Sequence, residues 1–395
     1  MIAGEKPHIT GVLQSWVWWA VVSRFLLHGL IVGTWISRIP AVKESLRLGD
    51  GALGTALLGV AAGSLAAIPV TGWLVARFGS RPVTAWSTAG FAVSLVFPAL
   101  AWDGLSLFAS LVVFGAMAGC NDVAMNAHAV AVERSLGTLT MSRFHAMFSI
   151  GGMIGSAAGG AVATAYAGVL VHFAGAAALF LLIGSATAPL MMRTAPDRQA
   201  LAAHAMLRHI PRALLVLSAI GFCIFLAEGA MADWTAVYLR QELGAGPGMA
   251  AAGYAVFSAS MAVFRLLGDA ITERVGAAWT IRGGGLLAAA GLAWALLVES
   301  PLWAMPGFAL AGAGFSSIIP LVFAAGGRIP SIGEGPGVAT VSGVGYLGFV
   351  VGPPAIGWVS EWTNLRGGLL VVVGLSALAA ALVGTIDRRA GILSR

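Results

Sequence analysis

Hydrophobic runs of twenty or more residues recur along this chain, separated by short polar breaks. Dividing the sequence at those breaks predicts twelve helices, over 16–38, 52–75, 82–101, 105–132, 143–166, 168–191, 213–239, 247–271, 277–298, 302–326, 337–359 and 366–386. At ~1.5 Å of rise per residue each is long enough to cross a hydrocarbon layer of ~30 Å. The longest polar segment, "RTAPDRQALAAHAMLRHIPR" from Arg193 to Arg212, separates six helices from six. It divides the chain into a bundle over 1–192, a linker over 193–212 and a second bundle over 213–395.

The two bundles repeat each other. "GWLVARFG" (Gly72 to Gly79) ends the second helix, and "GDAITERVG" (Gly268 to Gly276) ends the eighth about 196 residues later. "GGMIGSAAGG" (Gly151 to Gly160) in the fifth helix is echoed at nearly the same offset by "GFVVGPPAIG" (Gly348 to Gly357) in the eleventh. Two motifs at one offset indicate duplication, and parallel six-helix repeats are the plan of a class of secondary transporters. The expected fold is an all-α membrane protein, its twelve transmembrane helices in two pseudo-symmetric six-helix bundles.

Composition agrees with a membrane setting: of 395 residues 58% are hydrophobic and 10% charged, and mean hydropathy is +0.90. The first apolar run, Trp16 to Arg38, is too long for a signal peptide and lacks a convincing small-residue cleavage site, so it reads as a retained helix. With both termini cytoplasmic in a cell (inner) membrane, fifteen loop cations fall on the inner face and only Arg38, Lys43, Arg47, Arg240 and Arg366 on the outer. The net charge of +6 is thereby accounted for by topology, with no continuous basic face for nucleic acid. Cys120 and Cys223 both fall inside spans, so neither a disulfide framework nor a CxxC metal site is expected. No cofactor is implied: "GVGYLG" (Gly343 to Gly348) lies in an apolar helix without a preceding strand, and no phosphate-binding lysine motif is present. A nucleophile with its base is equally missing, which argues against an enzyme.

Gly72, Leu74, Arg77, Gly79 and Arg81 resemble the loop signature between the second and third helices of the major facilitator superfamily, with Ala76 where that signature usually has Asp. "DVAMN", Asp122 to Asn126, is similar to the acidic-x-Ala-x-Asn stretch of the fucose:proton symporter branch, although the first helix here offers Arg38 rather than an acid. In the superfamily the first and fourth helices border a central cavity. The resemblance therefore implies that Arg24 and His28 face Asp122 and Asn126.

The residues themselves point the same way. Arg24, His28, Trp35 and Arg38 share one stripe of the first helix, while Asp122, Asn126 and Glu133 share a stripe of the fourth, with His128 on the opposite side. A charge at mid-bilayer costs ~2.5 to 3.5 kcal/mol and almost always pairs or lines a cavity. Asp122, Glu228 and His28 are the candidates for proton coupling, and an Arg24–Asp122 bridge that merely locks helices is the competing structural reading. Arg24, Arg38, Asn126 and Ser316, the residue matching Asp122 in the second repeat, are candidates for substrate contact. Trp35 and Trp234 hold similar places in the two repeats and serve either to stack on a solute or as interfacial belt residues. Arg77, Arg81, Glu133 and Arg274 suit a cytoplasmic gate, and Arg265 with Asp269, four residues on, a gating or structural pair.

The function expected is secondary active transport of a small polar solute, sugar-like or an organic anion, by proton-coupled symport in a monomer. Proton-coupled efflux and a non-transporting receptor are the alternatives.

Overall fold

The computed structural model describes residues 11–137, 140–165, 168–194, 211–329 and 334–386; most of the linker, 195–210, lies outside them. Among the described residues there are helices and no strand. The α-helices are α1 (Gly11–Leu46), α2 (Asp50–Phe78), α3 (Ser80–Ser94), α4 (Gly104–Leu136), α5 (Met141–Thr164), α6 (Val169–Thr187), α7 (Arg212–Gln241), α8 (Pro247–Val275), α9 (Ala277–Leu297), α10 (Pro301–Phe315), α11 (Ile318–Gly327), α12 (Glu334–Trp362) and α13 (Leu365–Leu382). Twelve segments among the described residues are long and apolar enough to span a membrane.

Two departures from the expected boundaries have local causes. The tenth span is broken into α10 and α11 at Ser316–Ser317, because Pro320 has no N–H to donate to the carbonyl four residues earlier. The first helix runs eight residues past Arg38. Ile39, Val42 and Lys43 there are buried, and Lys43 pairs with Asp50 at the start of α2. Elsewhere short polar groups set the helix ends. At α4, Asp103 accepts from Ser106 N at 2.7 Å while Asp103 N donates to Ser106 Oγ at 3.0 Å; these bonds hold the Asp103 carboxyl below its ordinary range. Asn364 caps α13 by accepting from Gly367 N at 2.9 Å.

The duplication is visible in the backbone. Gly79, between α2 and α3, has φ 83° and ψ 158°; Gly276, between α8 and α9, has φ 86° and ψ 151°. Each donates its N–H at 2.8 Å to the carbonyl four residues back. Only glycine holds that conformation without strain, which explains the glycine closing each repeated motif. Packing repeats too: α1 on α5 matches α7 on α12, α2 on α4 matches α8 on α10, and α3 on α6 matches α9 on α13.

The halves meet along two seams, α5 on α8 and α2 on α12. The polar contacts that join them are Gly51 N to Glu361 at 2.8 Å, Arg240 to Glu44 at 2.8 Å, Ser156 Oγ to Ala251 O at 2.8 Å, Ser258 Oγ to Ser149 O at 2.8 Å and Arg265 to Ser149 at 3.0 Å. These lie between mid-span and the face carrying the α1–α2 and α7–α8 turns. Toward the other face Trp73, Arg77, Leu266, Leu267 and Asp269 are exposed. Among the described residues the polar contacts between the halves thus gather toward one end of the bundle.

Gly276 tests the backbone requirement cleanly, since a Cβ there would meet nothing within 4 Å. Gly276→Ala should lower stability by about 1–3 kcal/mol through strain alone. Gly283→Ala, in mid-α9 and equally unobstructed, should leave stability unchanged or raise it by up to about 1 kcal/mol. Unfolding in mixed micelles compares the two.

Candidate functional site

Where the α5–α8 seam reaches mid-span, charges from one half meet polar groups of the other. Arg265 of α8 lies 3.9 Å from Glu228 of α7 and donates at 3.0 Å to Ser149 Oγ of α5. Ser258, two turns earlier on α8, donates to the carbonyl of the same Ser149. Tyr254, one further turn away, is an electrostatic neighbour of Glu228, Arg265 and Asp233. Glu228 and Arg265 retain 15% and 14% side-chain exposure, while Glu228 Oε1 and Arg265 Nε are buried without a protein partner. A buried donor and a buried acceptor without partners cost free energy unless something bonds them, so these atoms mark a place for a polar ligand or water.

Asp122 and Asn126 form a separate polar pair on α4. Both are half-buried, and Asn126 Nδ2 donates to Asp122 O at 2.8 Å and Oδ1 at 3.1 Å. Across the interface Tyr346 of α12 feels the Asp122 charge. His28 keeps different company. It accepts from Asn121 Nδ2 at 2.9 Å and packs against Phe91 and Phe148. Asn121, fully buried, also accepts from Ser87 and Thr88 of α3 at 3.1 and 2.8 Å. The residue one position before Asp122 is therefore the one that meets the first helix, in a network that ties α1, α3 and α4 together.

Several expected contacts are corrected. Arg24, 1% exposed, turns to the end of α6, donating to Gly184 O at 2.8 Å and Thr187 Oγ1 at 2.7 Å; it makes no bridge to Asp122. Arg38 is buried and is an electrostatic neighbour of His172 of α6. Trp35 is 3% exposed and packs with Phe114 and Phe173, and Trp234 is fully buried. Both tryptophans are core residues, neither solute platforms nor belt anchors. Ser316 lies in the α10–α11 break and spends its hydroxyl on Ala313 O at 2.8 Å. Arg265 forms no ion pair with Asp269, which is exposed. His128 is a packing residue, 3.0 Å from Ser80 Oγ.

The expected gate residues have partners inside their own half. Arg77 lies over Trp73 and Phe78 at 5.4 and 5.6 Å, and Arg81 donates to Pro189 O at 3.2 Å. Glu133 accepts from Thr140 N and Met141 N, capping α5. Arg274 is exposed at the end of α8. The sequence reading missed Ser149, Tyr254, Ser258 and Tyr346. A signal for α8 existed: Tyr254, Ser258, Met261 and Arg265 fall at spacings of 4, 3 and 4, one helical face.

The model of the Major Facilitator Superfamily matches residues 11–332. The chain belongs to the major facilitator superfamily. An uncharacterized MFS-type transporter of Yersinia pestis is 34% identical over 367 residues, covering 92% of this chain and 94% of the relative. A shorter stretch of 138 residues, 33% of this chain and 30% of the relative, is 33% identical to a proposed tartrate transporter of Agrobacterium vitis. Among solved structures, a point mutant of the nucleoside transporter NupG aligns with a TM-score of 0.74 at 13% identity, covering 95% of this chain and all of that one. A bacterial homologue of the human lysosomal transporter Spinster, inward-facing and occupied, aligns at 0.75 with 18% identity, covering 95% and 97%. This is a membrane transporter and not an enzyme.

The two asparagines of α4 separate structure from function in the transporter. Asn121→Ala leaves buried His28 without its partner and should cost about 1–3 kcal/mol, whereas Asn126→Ala, at a half-buried position bonded only to Asp122 of its own helix, should cost about 0.5 kcal/mol or less. Thermal unfolding of the two purified variants distinguishes them.

Proposed function

We propose that the transporter moves a small polar solute, with an organic anion the best fit, by alternating access with proton-coupled symport. The observation that carries this reading is Arg265 at mid-span, shared between Glu228 in its own half and Ser149 in the other. Protonating Glu228 removes the carboxylate that holds the guanidinium. Arg265 then presents its fork to a carboxylate of the solute. Solute and proton thus load together, because neither the bare guanidinium nor the bare carboxylate is stable alone at that depth. Asp122, half-buried on α4, is the second proton-carrying group. Resemblance over part of the chain to a proposed tartrate transporter supports an anionic solute.

One proton carried in with a monoanion moves no net charge, so the pH difference drives the solute, supplying ~1.4 kcal/mol or roughly tenfold accumulation per pH unit for a single titrating acid. In this reading the end away from the bonds that join the halves is cytoplasmic, in an inner membrane, and the transporter works as a monomer. Arg77, Arg81, Arg274 and Glu133 form their gate only when that end closes. Gly151 and Gly155 of α5 fit against the backbone of α1 at Leu26 and Leu30, so helix packing accounts for their spacing without a coupling role. Reconstituted flux separates a carrier from a receptor.

In liposomes with an inward proton gradient, Glu228→Gln should abolish accumulation yet retain solute exchange across the membrane, because the amide keeps the shape and cannot titrate. Asp122→Asn should do the same. Arg265→Met should lose binding itself. Unchanged pH-driven accumulation in both acid variants would remove proton coupling from the mechanism.

A further inference from the structure

The first half carries a second cationic feature, on its outer flank and away from the central layer. Between the start of α3 and the end of α6 lies a cavity of about 750 Å³ whose polar lining includes Arg81, Thr88, Ser185, Arg193 and Thr194. No carboxylate is among the residues lining it. A third guanidinium lies beneath. Arg24 spends Nη2 on Gly184 O and Thr187, but its buried Nε and Nη1 have no partner. A Cβ added at Gly184, itself part of the lining, would stand 3.5 Å from that Nη1. Three cations without an acid make a strong anion field in a low dielectric.

The surroundings say which anion. Trp86, on the rim, is 63% exposed, and Leu179 and Leu182 of α6 are 52% and 67% exposed, so this flank faces acyl chains. Trp86 stands 6.3 Å from Phe78, which in turn stands 6.3 Å from Trp73. An exposed aromatic cluster at a helix end, with Arg77 over it, belongs at the depth where headgroups meet hydrocarbon. Basic pockets between transmembrane helices at that depth suit anionic headgroups, and guanidinium forks match phosphate oxygens. We propose that this cavity holds the headgroup phosphate of an anionic phospholipid, its chains running down over Trp86 and Leu182. Such a lipid would bear on Arg81, whose N–H already bonds Thr194 at 3.2 Å, and so would fasten the turn at Gly79 to the beginning of the linker.

Native mass spectrometry of the purified transporter with phosphatidylglycerol, phosphatidylcholine, inorganic phosphate or glycerol 3-phosphate tests this. Phosphatidylglycerol should be retained in preference to phosphatidylcholine and should not be displaced by the two soluble phosphates. Arg81→Gln and Arg193→Gln should each weaken retention about fivefold, the worth of one cation near a headgroup. Arg282→Gln, which removes a cation stacked on Trp279 in the other half, should leave retention unchanged. Arg193 is exposed, so its variant keeps the test decisive if Arg81→Gln does not fold. Equal retention of phosphatidylcholine, or full retention by the Arg193 variant, would overturn the site. Displacement by inorganic phosphate would assign the cavity to a soluble anion and overturn the lipid.

Discussion

An ionisable side chain held in hydrocarbon must have a partner or line water, and the arrangement of this transporter follows from how each buried charge meets that demand. Arg24 meets it on the last carbonyls of α6, where the helix end is negative. Lys43 meets it on Asp50 in the next helix. Both solutions stay within one half, so a rocking motion of one half against the other leaves them intact. Arg265 differs, because one of its partners is Glu228 in its own half and the other is Ser149 across the seam. Parting the seam at that level strips the guanidinium of one bond and makes its remaining partner decisive. The chemistry proposed for Glu228 follows from that geometry.

The seam around Arg265 is held by weak contacts. Lipid tails are as apolar as leucine, so no hydrophobic force drives two bundles together inside a membrane; close packing of small residues does that instead. Gly152, Ser156 and Gly160 of α5 face Tyr254, Ser258, Ala251 and Gly248 of α8. The bonds between them run from serine hydroxyls to backbone carbonyls, and interhelical bonds of this kind average only ~0.6 kcal/mol. A few such bonds join the halves without locking them. Aromatic packing is dense inside the first half, where Trp35, Phe91, Phe114 and Phe173 pack together.

The helix count, the duplication and the glycine turns were legible because each has a one-dimensional signature: an apolar run, a repeated motif, a residue that alone tolerates φ near 80°. Rotation about the helix axes was not. A shift of one residue turns a side chain by about 100°, and that is the difference between Asp122 and Asn121 as the neighbour of His28. Trp35 and Trp234 show the deeper reason. In a soluble helix the apolar face is the buried face, but here lipid-facing and core-facing surfaces are both apolar, so periodicity cannot say which way a tryptophan points. Arg265 was assigned to Asp269 because i,i+4 spacing favours that pair on an isolated helix; its actual partners come from α7 and α5, which spacing along one helix cannot reveal.

The fold is more symmetric than its chemistry. The α5–α8 and α2–α12 seams are related by the repeat, and the offset that superposes the glycine motifs carries Arg265 onto Pro69 and Ser149 onto Tyr346. One seam therefore brings a cation against a hydroxyl at mid-span. The other has a proline and a tyrosine at the matching places, and its polar anchor, Glu361 on Gly51 N, sits far out at the start of α2. Two symmetric seams give the halves equivalent ways to tilt. Unequal charge makes the two tilts differ in what they expose: tilting about α2–α12 moves an apolar contact, whereas opening α5–α8 uncovers Arg265. In the proposed cycle a solute that occupies Arg265 thereby changes the relative free energy of the two tilts, which is what coupling between binding and alternating access requires.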